Sequence, residues 1–251
     1  MQIFTVIGGM KLKIGIISDV HGNDIALKTV IENIKEELIE GVIFLGDLIA
    51  GGPNPKNTFD QLRELNVISW IKGNTDVIYQ EAIDFNKLKN KDDIELSKYY
   101  LYALNEISFE DIEFILAKPM IKSICIEGIE ILCVHGSPRN ITEKMGEEID
   151  ENILVEMIEG ISEKIIFCGH SHIPSMTKVN EKMIVNVGSV GFPIDEDNSA
   201  SYVILNINEQ GYTLDFKRVE YDIEKIINDA RSKDLPDLEK YEEVIRKGVY
   251  Y

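Results

Sequence analysis

Cysteine, histidine and tryptophan are scarce in this chain: three, four and one among 251 residues. The cysteines, Cys125, Cys133 and Cys168, are odd in number, sit in or beside apolar runs and show no CxxC spacing. That pattern argues against disulfides and against a thiolate metal site, and favours core packing in a cytoplasmic protein. Basic residues are also few, 26 Lys and Arg against 44 Asp and Glu, which leaves a net charge of −18. Duplex nucleic acid is a poor partner for such a surface, because duplex binding draws its affinity from many Lys and Arg contacts to phosphates. No apolar run approaches the ~20 residues that span a bilayer, so a soluble chain without membrane association is expected. The opening MQIFTVIGG lacks the basic residues of a signal peptide, and Met10 before KLKIGIISD reads as a second start. Residues 1–9 are therefore expected to be either an extra edge segment or an upstream extension.

What is present reads as one layered domain over residues 1–251. Apolar runs rich in Ile, Val and Phe recur at 12–17 (LKIGII), 41–45 (GVIFL), 67–71 (VISWI), 129–134 (IEILCV) and 165–168 (IIFC). Their length and β-branching predict buried strands. Between the first two lies a predicted helix with Ile25, Leu27, Val30, Ile31, Ile34 and Leu38 on one face and Asn23 or Asp24 as its cap; a second is predicted over 57–65. Strand and helix in alternation predict a parallel sheet covered by helices. Residues 77–118 read as a small inserted helical subdomain, charged, with Ser108 and Asp111 in a capping-box pattern. Its Tyr99, Tyr100 and Tyr102 are either packing aromatics or a stack for a ligand base. Strand-like segments at 182–187, 201–207 and 212–219 predict a second sheet, and amphipathic helices at 222–233 and 237–247 close the chain.

The five runs are followed by SDVHGN, GDL, GNTD, HGSPRN and GHSH. Asp19, His21, Asp47, Asn74, His135, His170 and His172 are thereby delivered to the C-terminal ends of strands, where ligands of open α/β sheets gather. Each has an ordinary reading as a turn former or helix entry, but all four histidines of the chain fall in this set. Seven N and O donors exceed the needs of one tetrahedral ion and suit two divalent ions that share a carboxylate. The mix of imidazole, carboxylate and amide favours Mn, Fe, Ni, Co or Zn over Ca. Such a pair holds phosphate oxygens and lowers the pKa of a shared water from 15.7 to about 7. Two carboxylates, two divalent ions and one hydroxide sum to about +1, so the pocket attracts a small anion although the surface is acidic.

DxH at 19–21, GD at 46–47, GN at 73–74, HG at 135–136 and GHxH at 169–172 together resemble the calcineurin-like metallophosphoesterases. GDLIAGGPNP, HGSPRN, VNVGSVGFP and the tail YDIEKII are closest to the bacterial and archaeal phosphodiesterase-like branch of that superfamily. The resemblance implies an α/β fold of four layers, α/β/β/α, around two stacked mixed sheets. It implies one metal on Asp19, His21, Asp47 and His172 and a second on Asp47, Asn74, His135 and His170, with Asp47 as bridge. Asp47, Asn74 and His135 would form the catalytic core, and a water or hydroxide between the ions would attack phosphorus in line with the departing oxygen. The implied activity is that of a phosphodiesterase or nucleotide pyrophosphohydrolase on a small phosphorylated substrate such as a nucleotide. Phosphomonoesterase or protein-phosphatase-like activity is an alternative, although LIAGGPNP stands where the protein phosphatases carry Asp-Arg-Gly. A metal-binding scaffold without catalysis, like the retromer subunit on this fold, is another.

The chain also departs from the pattern. Near relatives show NPGSVGQPR where this chain reads NVGSVGFPI, so Val187, Phe192 and Ile194 replace an expected phosphate-side glutamine and arginine among others. Arg139 is the one basic residue in a motif loop, either a phosphate clamp or a solvated charge. Asn54 and Thr75 are further candidate substrate contacts. Thr75 stands where most of the superfamily has a histidine that protonates the leaving group. A general acid typically supplies 10²- to 10⁴-fold, or about 3 to 5 kcal/mol, so weakly basic leaving groups are expected to be favoured over alkyl monoesters.

Overall fold

The structure, a computed structural model, describes residues 3–4, 12–82 and 91–249. It begins with β1 (Ile3–Phe4), β2 (Leu12–Ile17), α1 (Asp24–Glu36), β3 (Gly41–Phe44), α2 (Pro55–Arg63) and β4 (Val67–Trp70). Three helices follow, α3 (Asn74–Ala82), α4 (Lys91–Glu106) and α5 (Phe109–Leu116). Next come β5 (Ile121–Ile126), β6 (Ile129–Val134), α6 (Glu151–Met157), β7 (Ile165–Cys168), β8 (Ser175–Val179) and β9 (Lys182–Asn186). A hairpin of β10 (Ala200–Asn208) and β11 (Gly211–Val219) leads into α7 (Ile223–Ser232) and α8 (Leu238–Lys247).

The strands form two mixed sheets, ordered β11-β10-β2-β3-β4 and β1-β5-β6-β7-β9-β8. β2, β3 and β4 are parallel, as are β6, β7 and β9, while β10 and β8 run antiparallel to their neighbours. Alternation along each strand explains the layering, because successive side chains leave opposite faces of a sheet. Ile14, Ile16 and Ile43 of one sheet pack with Ile131, Phe167 and Val185 of the other. On the outer face of the first sheet, Ile17 and Phe44 meet Leu27, Val30 and Phe59 of α1 and α2. On the outer face of the second, Leu132 and Ile166 meet Leu154 and Met157 of α6. The result is the α/β/β/α sandwich that the motifs implied.

Local differences from the sequence-based expectations have simple causes. α2 starts at Pro55, earlier than predicted, because a proline in the first helical turn is already fixed in helical φ. Leu38 is 79% exposed, not buried: α1 stops at Glu36, and Leu38 follows it with a left-handed φ of 57°. No apolar run marks β5 or β8, since three of six residues in the first and four of five in the second are exposed or polar. Of residues 1–9 only Ile3 and Phe4 are described, paired in parallel with Cys125 and Ile126; the rest of that expected extension, and 83–90 of the helical insertion, lie outside the described residues. Asn23 caps α1 through Oδ1 to the Ala26 N–H at 3.0 Å, and Ser108 caps α5. In the insertion, Tyr79, Tyr100, Ala103 and Ile112 join the core over the first sheet.

The loops after β2, β3 and β4 are tied to one another before any ligand is considered. Backbone N–H groups of Asp19, Val20 and Gly22 donate to the carbonyls of Gly46, Asp47 and Leu48. Asp76, fully buried in the first turn of α3, then fastens the third loop to the second: its Oδ2 accepts from the N–H groups of Asp47 at 2.8 Å and Gly73 at 2.9 Å, and its Oδ1 from Leu48 at 3.2 Å. Asp76→Asn replaces one acceptor by an amide N–H that faces these donors. Leaving a buried donor unpaired costs about 1–3 kcal/mol, so the variant is expected to lose that much stability in urea denaturation, and an unchanged midpoint would remove Asp76 from this role.

Candidate metal centre

The C-terminal edges of the two sheets meet where the loops after β2, β3, β4, β6 and β7 converge, and the seven predicted donors lie there. Asp19 and Asp47 are 0% and 2% exposed. Asp19 Oδ1 lies 3.2 Å from His172 Nε2, 3.6 Å from His21 Nε2 and 3.9 Å from His135 Nε2. Asp47 Oδ2 lies 3.4 Å from His135 Nε2 and 3.8 Å from His21 Nε2. Asn74 Oδ1 is 2.9 Å from His135 Nε2. His170 joins by its backbone N–H, which donates to Asp19 Oδ2 at 3.0 Å, and by a ring edge-on to His135 at 5.3 Å. Two groups of converging donor atoms stand out among the described residues: Asp19, His21 and His172, and Asp19, Asp47 and His135. The imidazole nitrogens of His170 belong to neither.

The backbone at these positions is unusual. Eleven non-glycine residues among those described have positive φ, and five of them are Asp19 (55°), His21 (50°), Asp47 (60°), His170 (64°) and His172 (60°). Each such conformation costs about 1–3 kcal/mol and persists only where the surroundings enforce it, so strain is concentrated on the donor loops. Two glycines let the loops close around the carboxylates: a Cβ on Gly73 would lie 2.0 Å from Asp47 Oδ1, and one on Gly169 2.4 Å from Asp19 Oδ2.

The imidazoles are turned the same way by three backbone carbonyls. Nδ1 of His21 lies 2.8 Å from Ala50 O, that of His135 2.8 Å from Leu45 O, and that of His172 2.5 Å from Phe192 O. A ring that donates through Nδ1 keeps an Nε2 lone pair for a metal. Acceptors then face acceptors: His21 Nε2 and His172 Nε2 are 3.2 Å apart, and Asp19 Oδ1 is buried without a hydrogen-bond partner. Only a cation, either a metal or extra protons on the rings, relieves that arrangement. Burial alone would lower the pKa of His135, but attraction to Asp47 and Asp19 outweighs it and raises the ring to about 10. Asp19 is likewise held well below the usual carboxylate range: burial opposes this, but the charges of His172 and His135 prevail. Asp76, by contrast, is pushed up to about 6 by burial and by the charge of Asp47, against its three backbone N–H donors. A mixed N and O donor set with no thiolate fits a divalent ion of the Mn to Zn series.

The candidate substrate contacts fare differently. Asn54 is 3% exposed, and its amide donates to Asp24 Oδ1 at 2.7 Å and Asp229 Oδ2 at 3.0 Å. Both N–H groups are thereby spent on tying α1 to α7. Arg139 is exposed and its guanidinium is engaged by Glu143, with Nη2 2.5 Å from Oε1, and by Glu156 at 3.8 Å. Its acidic neighbours thus hold the guanidinium at the motif loop. Thr75 sits at the centre: its N–H donates to Asp47 Oδ1 at 2.9 Å, while its Oγ1 is buried without a partner.

Sequence reasoning missed two positioning residues. Asn186, at the end of β9, donates to Gly169 O at 2.7 Å and to Ser171 Oγ at 2.9 Å, which braces the His170–His172 loop. Ser189 donates from Oγ to Asp19 O at 2.7 Å. The signal available was a polar side chain at the end of an apolar run, in VNVGS, where a buried amide needs backbone partners.

The model of the calcineurin-like phosphoesterase superfamily domain matches residues 12–210. The uncharacterized protein MJ0912 of Methanocaldococcus jannaschii is 30% identical over 251 residues, a match that covers 91% of this chain and 96% of the relative. A metallophosphoesterase from Sphaerobacter thermophilus superposes with a TM-score of 0.76 at 24% identity, over 96% of this chain and 100% of its own. The hypothetical protein PH1004 from Pyrococcus horikoshii OT3 does so with a TM-score of 0.80 at 20% identity, over the same shares. At these identities the two structures show a common fold. The match over residues 12–210, which spans all seven donors, shows more: the chain belongs to the calcineurin-like phosphoesterase superfamily.

Proposed function

We propose that this protein hydrolyses phosphate esters or anhydrides with two divalent metal ions, and that its substrates are small phosphodiesters or nucleotide pyrophosphates in the cytoplasm. One observation carries the reading: three imidazoles are held with Nε2 inward around two buried carboxylates, one of which has an oxygen without a hydrogen-bond partner. In this reading Asp19, His21, Asp47 and His172 hold one ion and Asp47, Asn74, His135 and His170 the other, drawn from Mn, Fe, Ni, Co or Zn. When bound, such ions supply a hydroxide nucleophile near neutral pH and offset the charge on phosphate oxygens.

The chain's own residues supply orientation. The carbonyls of Ala50, Leu45 and Phe192 fix the rings, and Asp76 and the Thr75 N–H fix Asp47. Nothing at Thr75 donates a proton efficiently at neutral pH, since an alcohol is too weak an acid. The departing oxygen must then be a weak base by itself, which favours nucleotide phosphates and phenolates as leaving groups.

Three outcomes test this reading. Asp47→Asn is expected to abolish turnover and to lower bound metal per chain in elemental analysis; full activity with less metal would remove Asp47 from the bridge. Thr75→His is expected to raise rates for poor leaving groups more than for good ones, flattening a plot of log rate against leaving-group pKa, and an equal gain across the series would refute the missing-acid account. The third concerns pH. The folded pKa of His135, about 10, lies above its ordinary 6.5, so in the metal-free protein its charged form stabilises the fold below pH 6.5, and this contribution fades as pH rises towards 10. A metal must displace that proton. Affinity for Mn, measured by calorimetry between pH 6.5 and 9, is expected to rise by up to about tenfold per pH unit for each proton displaced; a flat profile would show His135 already neutral.

A further inference from the structure

Beside His21 and His172 opens a cavity of about 180 Å³, bounded also by Thr75, Tyr99, Phe192 and Tyr241. Its walls come from separate parts of the chain: Tyr99 from α4, Tyr241 from α8, and Phe192 from the loop that follows β9. The wall is fixed. The Phe192 ring lies 5.8 Å from His21, 6.0 Å from His172 and 6.3 Å from Tyr241, and the Tyr99 hydroxyl donates to Asp237 Oδ2 at 3.0 Å just ahead of α8. Tyr102, the remaining tyrosine of the candidate stack, turns away and donates to Pro53 O at 2.8 Å.

The chain carries 44 acidic residues, yet among the described residues none lines this cavity, where the only Lys or Arg is Lys240. A flat, uncharged group is thus accepted where a carboxylate wall would have selected a cation. Stiff aromatic faces favour ring partners in offset or edge-to-face contact over flexible chains. The volume is below the about 300 Å³ at which pockets for drug-sized ligands begin, which suits a single ring system. His21 and His172 stand at its edge, so a phosphate held at the metal centre leaves its substituent in reach of the rings.

We propose that this cavity is the subsite for a planar aromatic group, a nucleobase or a phenol, attached to the phosphate that the metal centre holds. The assignment rests on the hydrolase reading above, and deepens it by naming the substrate class.

The test uses the Mn-loaded full chain and four ligands of similar charge: methylphosphonate, butylphosphonate, phenylphosphonate and adenosine 5′-monophosphate. Binding is measured by calorimetry, and turnover of bis(4-nitrophenyl) phosphate is measured in parallel. Phenylphosphonate is expected to bind about tenfold more tightly than methylphosphonate and more tightly than butylphosphonate. That advantage is expected to shrink in Tyr99→Ala and in Phe192→Leu, each first checked for an unchanged melting midpoint. The monophosphate binding better than phenylphosphonate assigns a nucleobase, and the reverse order assigns a phenol; both support a ring subsite. Equal binding of the butyl and phenyl ligands, or an advantage that survives both substitutions, overturns the inference. Ring-selective binding without turnover of the diester upholds the subsite and overturns the hydrolase reading.

Discussion

Two carboxylates placed together away from water require positive charge between them, and that requirement organises this protein. Asp19 and Asp47 share His21 and His135 as neighbours within 3.9 Å, and among the described residues neither is paired with Lys or Arg. Withdrawing a carboxylate from water costs several kcal/mol unless it is paired and hydrogen-bonded. Without metal, protons on the imidazoles meet the demand, which is why His135 and His21 hold their protons more firmly than an ordinary histidine. A fixed Lys or Arg would meet it permanently and leave no place for an exchangeable cation. The donor set is therefore suited to an exchangeable cation.

Holding such a site open falls to the fold. The donor loops leave both sheets at their C-terminal edges, and the hydrogen bonds that tie the two sheets over them include the His170 N–H to Asp19 Oδ2 and the Gly191 N–H to Asp19 O at 3.0 Å. Asp19 belongs to one sheet and both donors to segments that follow strands of the other. Its left-handed backbone is strained, and the strain is held because the core between the sheets fixes both ends of the loop. Packing far from the centre thus decides the geometry of the centre.

Which features could be read from the sequence follows from how local their causes are. The parallel strands were legible because IGII, VIFL and IIFC are short β-branched runs, and the donors were legible because each follows its run directly. β5 and β8 were not, since their alternate residues face outward and dilute the signal. Arg139 and Asn54 looked like anion contacts because their motif positions suggested it, but the acidic partners Glu143, Asp24 and Asp229 come from elsewhere in the fold or the loop and claim their donors. For Asp76 nothing in its neighbourhood names its partners, which lie 28 and 29 residues back at Leu48 and Asp47. Partners at such separations have no signature in a single chain.

Two of the departures from the superfamily pattern point in the same direction when set in space. Thr75 and Phe192 are far apart in sequence but border one cavity beside His21 and His172. Replacing an imidazole by Thr75 removes the means to protonate a basic leaving oxygen, and replacing a glutamine by Phe192 removes a polar donor and adds an apolar face. Each change alone reads as a loss of function. Under the proposed subsite the two changes exchange proton delivery for ring contact, an exchange that would suit one kind of substrate: a phosphate whose leaving group is stabilised by its own chemistry and recognised by its flat face. In that reading, specificity and the missing acid are two consequences of the same wall.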